Sequence, residues 1–454
     1  METHFTLEQL RDPRLKEADE ILRRCVHCGF CLAACPTYLL NGDERDSPRG
    51  RIYLIKAMFE GSLTPKQVRP HLDRCLSCHA CMTACPSGVD YKRLSDYARP
   101  FIEKSSMRSP NDESQRKFLR SVLPYPRRFR LVLLAILAAR PFRRLLSRSR
   151  SRLLKRVLEL APKSPLKRGI YILPQTVKTG RTRRGRVALL GGCVQRVLNP
   201  ELNDATIRLL NRLGYDVTLA EGEGCCGALT LHMGREAAAK ALAKRNIDAW
   251  TAERGKGGPL SAIIINTSGC GVAVKDYAHL FADDPAYAEK AKYVSSLARD
   301  IAEFAAQQKL DTPIGWSDIR VAYHASCSLQ HSQKIVDEPR QLLRNAGFTV
   351  LEIPDGHICC GAAGSYNILQ AELATELQAR KVKAIKSLRP DCVATASIGC
   401  LNQLSAGPAP VVHTVELLDW AYGGPCPEKL KHLAGRIRPL PREGEGAEED
   451  YELA

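Results

Sequence analysis

Long apolar runs are missing from this 454-residue chain. The stretch Leu131-Val-Leu-Leu-Ala-Ile-Leu-Ala-Ala139 ends after nine residues, whereas a helix that crosses a bilayer takes about 20. The opening residues, Met1-Glu-Thr-His-Phe-Thr-Leu-Glu, contain no apolar core of a secretory leader. Arg23-Arg24 is followed by no apolar run, so no export signal is expected. Acidic residues are nearly absent from one segment: between Arg116 and Arg186 there are 22 Lys or Arg and one acid, Glu159. That segment carries +21, the whole chain +18 and the remainder about −3. The basic character therefore belongs to one stretch and not to the folded domains. Aromatics are sparse there and no recognition motif accompanies the charge, so no nucleic-acid partner is expected. Without a leader, the 18 cysteines read as reduced thiols in the cytoplasm, committed to metal rather than to disulfides.

Eight of those cysteines fall into two copies of one pattern, Cys25-x2-Cys28-x2-Cys31-x3-Cys35-Pro36 and Cys75-x2-Cys78-x2-Cys81-x3-Cys85-Pro86. This is the bacterial ferredoxin run, in which four thiolates hold a cubane 4Fe-4S cluster. The spacing lets three sulfurs of one short loop reach three irons of one cluster. The fourth Cys, followed by Pro, points away and ligates the other cluster. Cys25, Cys28, Cys31 and Cys85 are therefore assigned to one cluster, and Cys75, Cys78, Cys81 and Cys35 to the other. Structural zinc sites also use Cys-x2-Cys pairs, but they separate two such pairs by a longer loop and need no compact run closed by Pro. Two adjacent clusters pass electrons and do not by themselves transform a substrate.

Helical spacing of Leu7, Leu10, Leu15, Ala18, Ile21 and Leu22 predicts a helix over 7–24 leading into the first cysteine loop. After Ser47-Pro48-Arg49-Gly50-Arg51, the residues Ile52, Leu54, Ile55, Met58 and Phe59 predict a short amphipathic helix. In the basic segment, Leu131–Ala139 is flanked by Arg127, Arg128, Arg130, Arg140, Arg143 and Arg144. Two readings are open: a helix lying in the interface of an anionic membrane, or a core helix with a solvated, charged linker.

From Gly185 the texture becomes α/β and an internal repeat begins. Cys193, Cys225-Cys226-Gly227 and Gly269-Cys270 recur as Cys327, Cys359-Cys360-Gly361 and Gly399-Cys400, at offsets of 134, 134 and 130 residues. Each Cys follows a short β-rich run: 186–190, 215–219 and 262–265 in the first copy, 320–323, 348–353 and 392–395 in the second. Helical stretches 203–213 and 337–346, ended by Gly214 and Gly347, lie between them. Such alternation predicts parallel sheets, whose ligands collect beyond the carboxyl ends of the strands. Gly222-Glu-Gly224-Cys-Cys-Gly227 matches a dinucleotide fingerprint. Its variable positions are the paired cysteines, however, and the second copy has Ile358 for the middle glycine. Four thiols per copy suffice for a cluster, a zinc ion or a redox-active thiol set. His232, His324 and His331 lie close enough in sequence to be ligands, supporting donors or structural residues. Cys392 and Cys426 are left unassigned.

Together these residues resemble the iron–sulfur subunits of bacterial glycolate oxidase complexes. The carrying stretches are Cys25-Val-His-Cys-Gly-Phe-Cys31, Cys35-Pro-Thr-Tyr38, Ser47-Pro-Arg-Gly-Arg-Ile-Tyr-Leu-Ile-Lys56, Asp73-Arg-Cys-Leu-Ser-Cys78 and Cys85-Pro-Ser-Gly-Val89. Asn246-Ile-Asp-Ala-Trp250, Ser268-Gly-Cys-Gly271 and Ser328-Leu-Gln-His331 add to them. The repeats are similar to the cysteine-rich domains of heterodisulfide reductases and of lactate and anaerobic glycerol-3-phosphate dehydrogenase subunits. In the reductases each repeat ends in Cys-x2-Cys and holds a five-cysteine cluster. Here Thr267 and Ser397 stand at the first of those positions, so the repeats are left out of the metal assignment. The motifs, the charge distribution and the repeat predict an α/β protein with a helical ferredoxin module: a two-cluster ferredoxin-like domain (1–110), a basic amphipathic linker (111–185), two duplicated cysteine-rich α/β domains (186–310 and 311–435) and an acidic tail (436–454), the resemblance covering nearly all but the linker and the tail. The resemblance implies an electron-transfer subunit that receives electrons from FAD-containing glycolate oxidase subunits and passes them to membrane quinone. The expected location is the cytoplasm, peripheral on the inner face of the cell membrane through the basic segment. A D-lactate or glycerol-3-phosphate dehydrogenase subunit, or a heterodisulfide reductase-like protein, is the alternative.

Overall fold

The computed structural model describes residues 1–105, 108–139, 141, 152–161, 166–171 and 174–439. Proline starts most of its N-terminal helices, as expected of a residue whose missing N–H is an orphan at that position anyway. These are α1 (Pro13–Arg23), α2 (Pro36–Asn41), α3 (Pro48–Phe59) and α4 (Pro65–Asp73). The helix expected over 7–24 begins only at Pro13, where Asp12 accepts the Arg14 amide at 2.8 Å; a 3-10 turn, Gln9–Arg11, precedes it. Ser47 caps α3 in the same way, accepting from Gly50 at 2.9 Å. A single turn α5 (Ala80–Thr83) and the longer α6 (Tyr91–Ser105) complete the module. Leu22, Ile55, Val68, Leu72 and Leu94 form its core, and Cys25 is buried against them.

The basic segment is helical over much of its described length: α7 (Pro110–Val122), α8 (Pro126–Ala138) and the helix Arg152–Leu160. One face of α8 buries Phe129 and Leu133 with Val122 and Val197. Its other face leaves Leu131 67% and Leu134 45% exposed. Arg140, Arg143 and Arg144 lie outside the described residues, as does the acidic tail beyond 439.

The duplicated region forms two parallel-rich sheets. The first has the order β1-β3-β2-β4-β5, with β1 (Gln175–Val177), β2 (Gly185–Leu189), β3 (Tyr215–Leu219), β4 (Ala262–Ile265) and β5 (Ala298–Asp300). Only β1, an edge strand, runs antiparallel. In chain order the next strands are β6 (Gly315–Ser317), β7 (Arg320–His324), β8 (Thr349–Glu352), β9 (Cys392–Thr395), β10 (Val411–His413) and β11 (Ile437–Pro439). The second sheet, β10-β9-β7-β8, is wholly parallel, and β6 pairs with β11 in a separate ribbon. The six strands expected from sequence are present within two residues of their bounds. The additional strands, β1, β5, β6, β10 and β11, are three residues each, too short to show a period.

One core runs through both repeats, from Ile207 and Leu210 to Val321 and Trp420. At its rim, Arg208 and Arg212 on the helix Glu201–Arg212 both clamp Asp419 on the helix Thr414–Ala421, Arg208 at 2.6 Å. The ferredoxin module rests on both repeats. It meets the first through ion pairs, Arg14–Glu236 at 2.6 Å and Lys92 with Arg93 on Asp276. It meets the second through His79–Ser332 at 2.7 Å and Thr83–His331 at 2.9 Å, and through Arg380, which donates to the Leu39 carbonyl at 3.3 Å.

Candidate metal centre

The two ferredoxin loops share an unusual backbone. His27 and Gly29 in the first, and Ser77 and His79 in the second, all have positive φ, at 57°, 85°, 52° and 61°. Three of the four are not glycine, so each left-handed turn costs energy that the surrounding fold repays. The turns bring the thiols of each loop together, and amide and hydroxyl donors reach their sulfurs: Ser77 N to Cys75 at 3.4 Å, Val89 N to Cys85 at 3.5 Å and Tyr91 Oη to Cys75 at 3.6 Å. Cys25, Cys28, Cys31 and Cys85 line one cavity, and Cys35, Cys75 and Cys78 another, with Cys81 bordering both. The fourth cysteine of each run thus faces the thiols of the other run. Cys28 is exposed, whereas Cys35 is buried. Val26 and Phe30, 65% and 68% exposed, stand beside the first cavity.

Around Cys35 and Cys75 lies a charged group that sequence reading passed over. The Arg51 side chain is 2% exposed. It donates to the His71 carbonyl at 2.8 Å and to Thr37 Oγ1 at 3.0 Å, and its Nη1 stands 3.8 Å from Cys35 Sγ. Asp46, equally buried, balances it at 3.8 Å and also binds His71 and Arg74. Burial opposes the guanidinium charge, but Cys75, Tyr91, Cys35 and Asp46 outweigh it and hold the proton on. Burial likewise raises the Cys75 thiol, and the nearby Arg51 and Arg99 pull it net below its ordinary value. Cys81 has no such neighbour; burial and then Cys78 push it well up. In sequence Arg51 reads only as part of the Ser47–Arg51 punctuation before α3.

Each repeat builds a row of four thiols. Cys193, Cys225, Cys226 and Cys270 stand with each sulfur in hydrogen-bonding contact with the next. Cys327, Cys359, Cys360 and Cys400 reproduce the row, with Cys360 Sγ 3.5 Å from Cys400 Sγ. Gly227 and Gly361 close the Cys-Cys-Gly turns at φ +85° and +87°. Their amides donate to Cys225 and Cys359 at 3.5 and 3.4 Å. A Cβ at Gly361 would meet the Ala374 carbonyl at 2.6 Å, and one at Gly227 the Ala239 carbonyl at 2.9 Å. Both glycines are therefore obligatory.

The two rows face each other across a cavity of about 390 Å³, roofed by Phe129, Leu133 and Ile136 of α8 and also bordered by Cys75 and Cys78. The second row touches the ferredoxin module directly: Leu76 and Cys78 pack with Cys327 and Cys359. His232 lines the cavity and is held neutral by burial, its pKa near 4. His331 is spent on Thr83 and on the His357 carbonyl at 3.1 Å. His324 faces Cys360 and Cys400, the donor atoms all within 4.8 Å of one another. Cys392 lies inside β9 in the core and Cys426 at the edge of that core.

Two loops with the donor set of a cubane pair, set against a duplicated thiol-lined α/β body, define an iron–sulfur protein of the electron-transferring class. The chain matches the family models of a 4Fe-4S dicluster domain over residues 24–89 and of a cysteine-rich domain over 187–275 and 321–405. It is 41% identical over 422 residues to the glycolate oxidase iron-sulfur subunit of Escherichia coli (strain K12), covering 93% of this chain and 99% of that one. It is 32% identical to the probable glycolate oxidase iron-sulfur subunit of Bacillus subtilis (strain 168), again over 93% and 99%. The chain belongs to the glycolate oxidase iron–sulfur subunit family. Lactate utilization protein A of Bacillus licheniformis is 27% identical over 52% of this chain. A crystal structure of a hypothetical protein from Helicobacter pylori shares the fold, with a TM-score of 0.50, 9% identity, and coverage of 94% of this chain and 76% of that one.

Proposed function

We propose that this chain relays electrons within a glycolate-oxidising complex, from an FAD-bearing partner to a membrane quinone. The 1–110 module would hold two 4Fe-4S clusters, one on Cys25, Cys28, Cys31 and Cys85, the other on Cys75, Cys78, Cys81 and Cys35. Bound there, the clusters supply one-electron carriers. The observation that carries the reading is the order of burial. The first thiol set reaches the surface at Cys28, beside exposed Val26 and Phe30. The second lies inside, against Cys327 and Cys359. That arrangement suits entry from a docked flavoprotein at the first set and exit inward at the second. Glycolate is favoured over lactate because the glycolate oxidase subunit matches 93% of this chain at 41% identity, lactate utilization protein A only 52% at 27%.

The exit side favours an apolar acceptor. α8 lines the central cavity with Phe129, Leu133 and Ile136 while turning Leu131 and Leu134 outward. Arg127, Arg128 and Arg130 flank that outward face. Among the described residues no helix is long and apolar enough to cross a membrane, so segment 111–185 would bind an anionic surface peripherally.

The test is Cys28→Ser in the assembled complex. Reduction of a quinone analogue by glycolate should stop, while the flavoprotein still reduces an artificial dye. Unchanged quinone turnover refutes the relay.

A further inference from the structure

His324 is 1% exposed; its ring lies against the Cys400 thiol and finds no nitrogen or oxygen partner among the described residues. A thiol is a weak partner, so a buried imidazole in that state gains little for the water it gave up. It is not isolated by accident. It ends β7, and its ring is aimed at Cys360 and Cys400, with all three donor atoms within 4.8 Å of one another. Cys359 adjoins Cys360 in the same row. We propose that the second repeat binds one zinc-class metal ion through His324, Cys360 and Cys400.

Geometry selects this chemistry over the others. Zinc bonds of about 2.3 Å to sulfur and 2.0–2.1 Å to nitrogen place tetrahedral donors about 3.5–3.8 Å apart. The Cys360–Cys400 separation is 3.5 Å. A cubane spreads its four thiolates over four irons and needs them further apart. Two soft thiolates with one imidazole give the three protein ligands of an open zinc site, with Cys359 next in the row. The two repeats differ at the decisive position. Three residues before Cys327 stands His324; three residues before Cys193 stands Leu190. The first row therefore has no nitrogen donor there, and the ion belongs to the second repeat alone. The remaining donor group, Asp43, Asp46 and His71, carries no such site, because Arg45, Arg74 and Arg51 already pair with its carboxylates. Ligation would tie the end of β7, the Cys359-Cys360 turn and the helix Ile398–Leu404 to one point, beside Cys78 of the ferredoxin module.

The test is elemental analysis of zinc, iron and acid-labile sulfide on full-length, anaerobically purified protein. The expected result is about one zinc per chain in addition to the iron. His324→Leu installs the residue the first repeat uses and should remove the zinc with iron and sulfide unchanged; Cys400→Ser should do the same. On the wild type, cobalt in place of zinc should give tetrahedral ligand-field bands and thiolate-to-cobalt charge transfer, so the proposal stands or falls even if a variant does not fold. Zinc absent, zinc retained in both variants, or iron clearly above about eight with matching sulfide each overturns it. About eight irons without zinc would leave the relay intact and sink this site; zinc without iron would do the reverse.

Discussion

The buried Arg51 should set the potential of the second cluster. Its Nη1 is 3.8 Å from Cys35 Sγ, which puts the charge about 7 Å from the centre of a cluster held there. At an effective dielectric of about 20, a unit charge at that distance stabilises one added electron by about 2.4 kcal/mol, or about 100 mV. Asp46 does not cancel this on removal of the arginine, because it keeps His71 at 2.8 Å and Arg74 at 3.0 Å. Losing a positive charge disfavours the reduced state, so Arg51→Met should lower the midpoint of the second cluster by about 100 mV and that of the more distant first by less than about half as much. Arg51→Lys keeps the charge and should move the midpoint by less than about half as much. The assay is a potentiometric titration followed by electron paramagnetic resonance on anaerobic protein. A shift below about 20 mV in the methionine variant, or equal shifts in both clusters, refutes the placement of this charge beside one cluster only.

Asp300, wholly buried, has its pKa raised to about 7 by burial, against 3.8 for an ordinary aspartate. The folded state thus keeps a proton that the unfolded chain releases, and stability falls as pH rises from 3.8 towards 7, levelling above it. Asp300→Asn, which still caps the helix Ile301–Ala306, should be more stable than wild type at pH 8, on the order of 3 kcal/mol, and about equal at pH 4; thermal unfolding at both pH values decides it, and no gain at pH 8 counts against it. Gly361→Ala forces a Cβ to 2.6 Å from the Ala374 carbonyl at φ +87°, and should cost about 2–4 kcal/mol, read as a lowered Tm. Phe30→Asp should weaken association with the flavoprotein partner at least about tenfold without changing iron content, measured by co-purification and titration. Leu131→Asp with Leu134→Asp should abolish sedimentation with anionic vesicles, and retained binding would place the membrane contact elsewhere.

Much of this was legible because cysteine spacing is a geometric statement. The crossing of Cys35 and Cys85 between the two runs follows from a turn that leaves only three sulfurs on one side. The repeat was legible from offsets, and its strands from β-branched runs. The start of α1 was not, because Leu7 and Leu10 keep helical spacing while Pro13 and the Asp12 cap decide where the hydrogen bonds begin. Arg51 was not, because an arginine in a Pro-Arg-Gly-Arg run looks solvated until Asp46, twenty-five residues before His71, is seen to share its pocket. Nor was the difference between His324 and His331 visible. Both stand within four residues of Cys327, and only the positions of Thr83 and the His357 carbonyl show that one is satisfied and the other is not.

The way the ferredoxin module docks also bears on electron flow. Its contacts with the first repeat are ionic: Arg14 on Glu236, Lys92 and Arg93 on Asp276. On the second repeat, where Cys78 approaches Cys359, the two hydrogen bonds made by the second cysteine loop are neutral. His79 is held uncharged by burial, with a pKa near 3, and bonds to the Ser332 hydroxyl. His331 too is pushed below its ordinary value by burial. A fixed cation at that junction would deepen the well for an electron on the second cluster and slow its departure, whereas hydroxyl–imidazole contacts hold the surfaces in register without doing so. Arg51 and Arg99, the cations beside Cys35 and Cys75, are both supplied by the ferredoxin module itself. Carboxylate–cation pairs between module and repeat are thus seen at the first repeat, whereas Arg380 of the second reaches only the Leu39 carbonyl. The prediction that separates this from chance is directional: His79→Lys should preserve docking through Ser332 yet slow oxidation of the second cluster, with its midpoint raised rather than lowered.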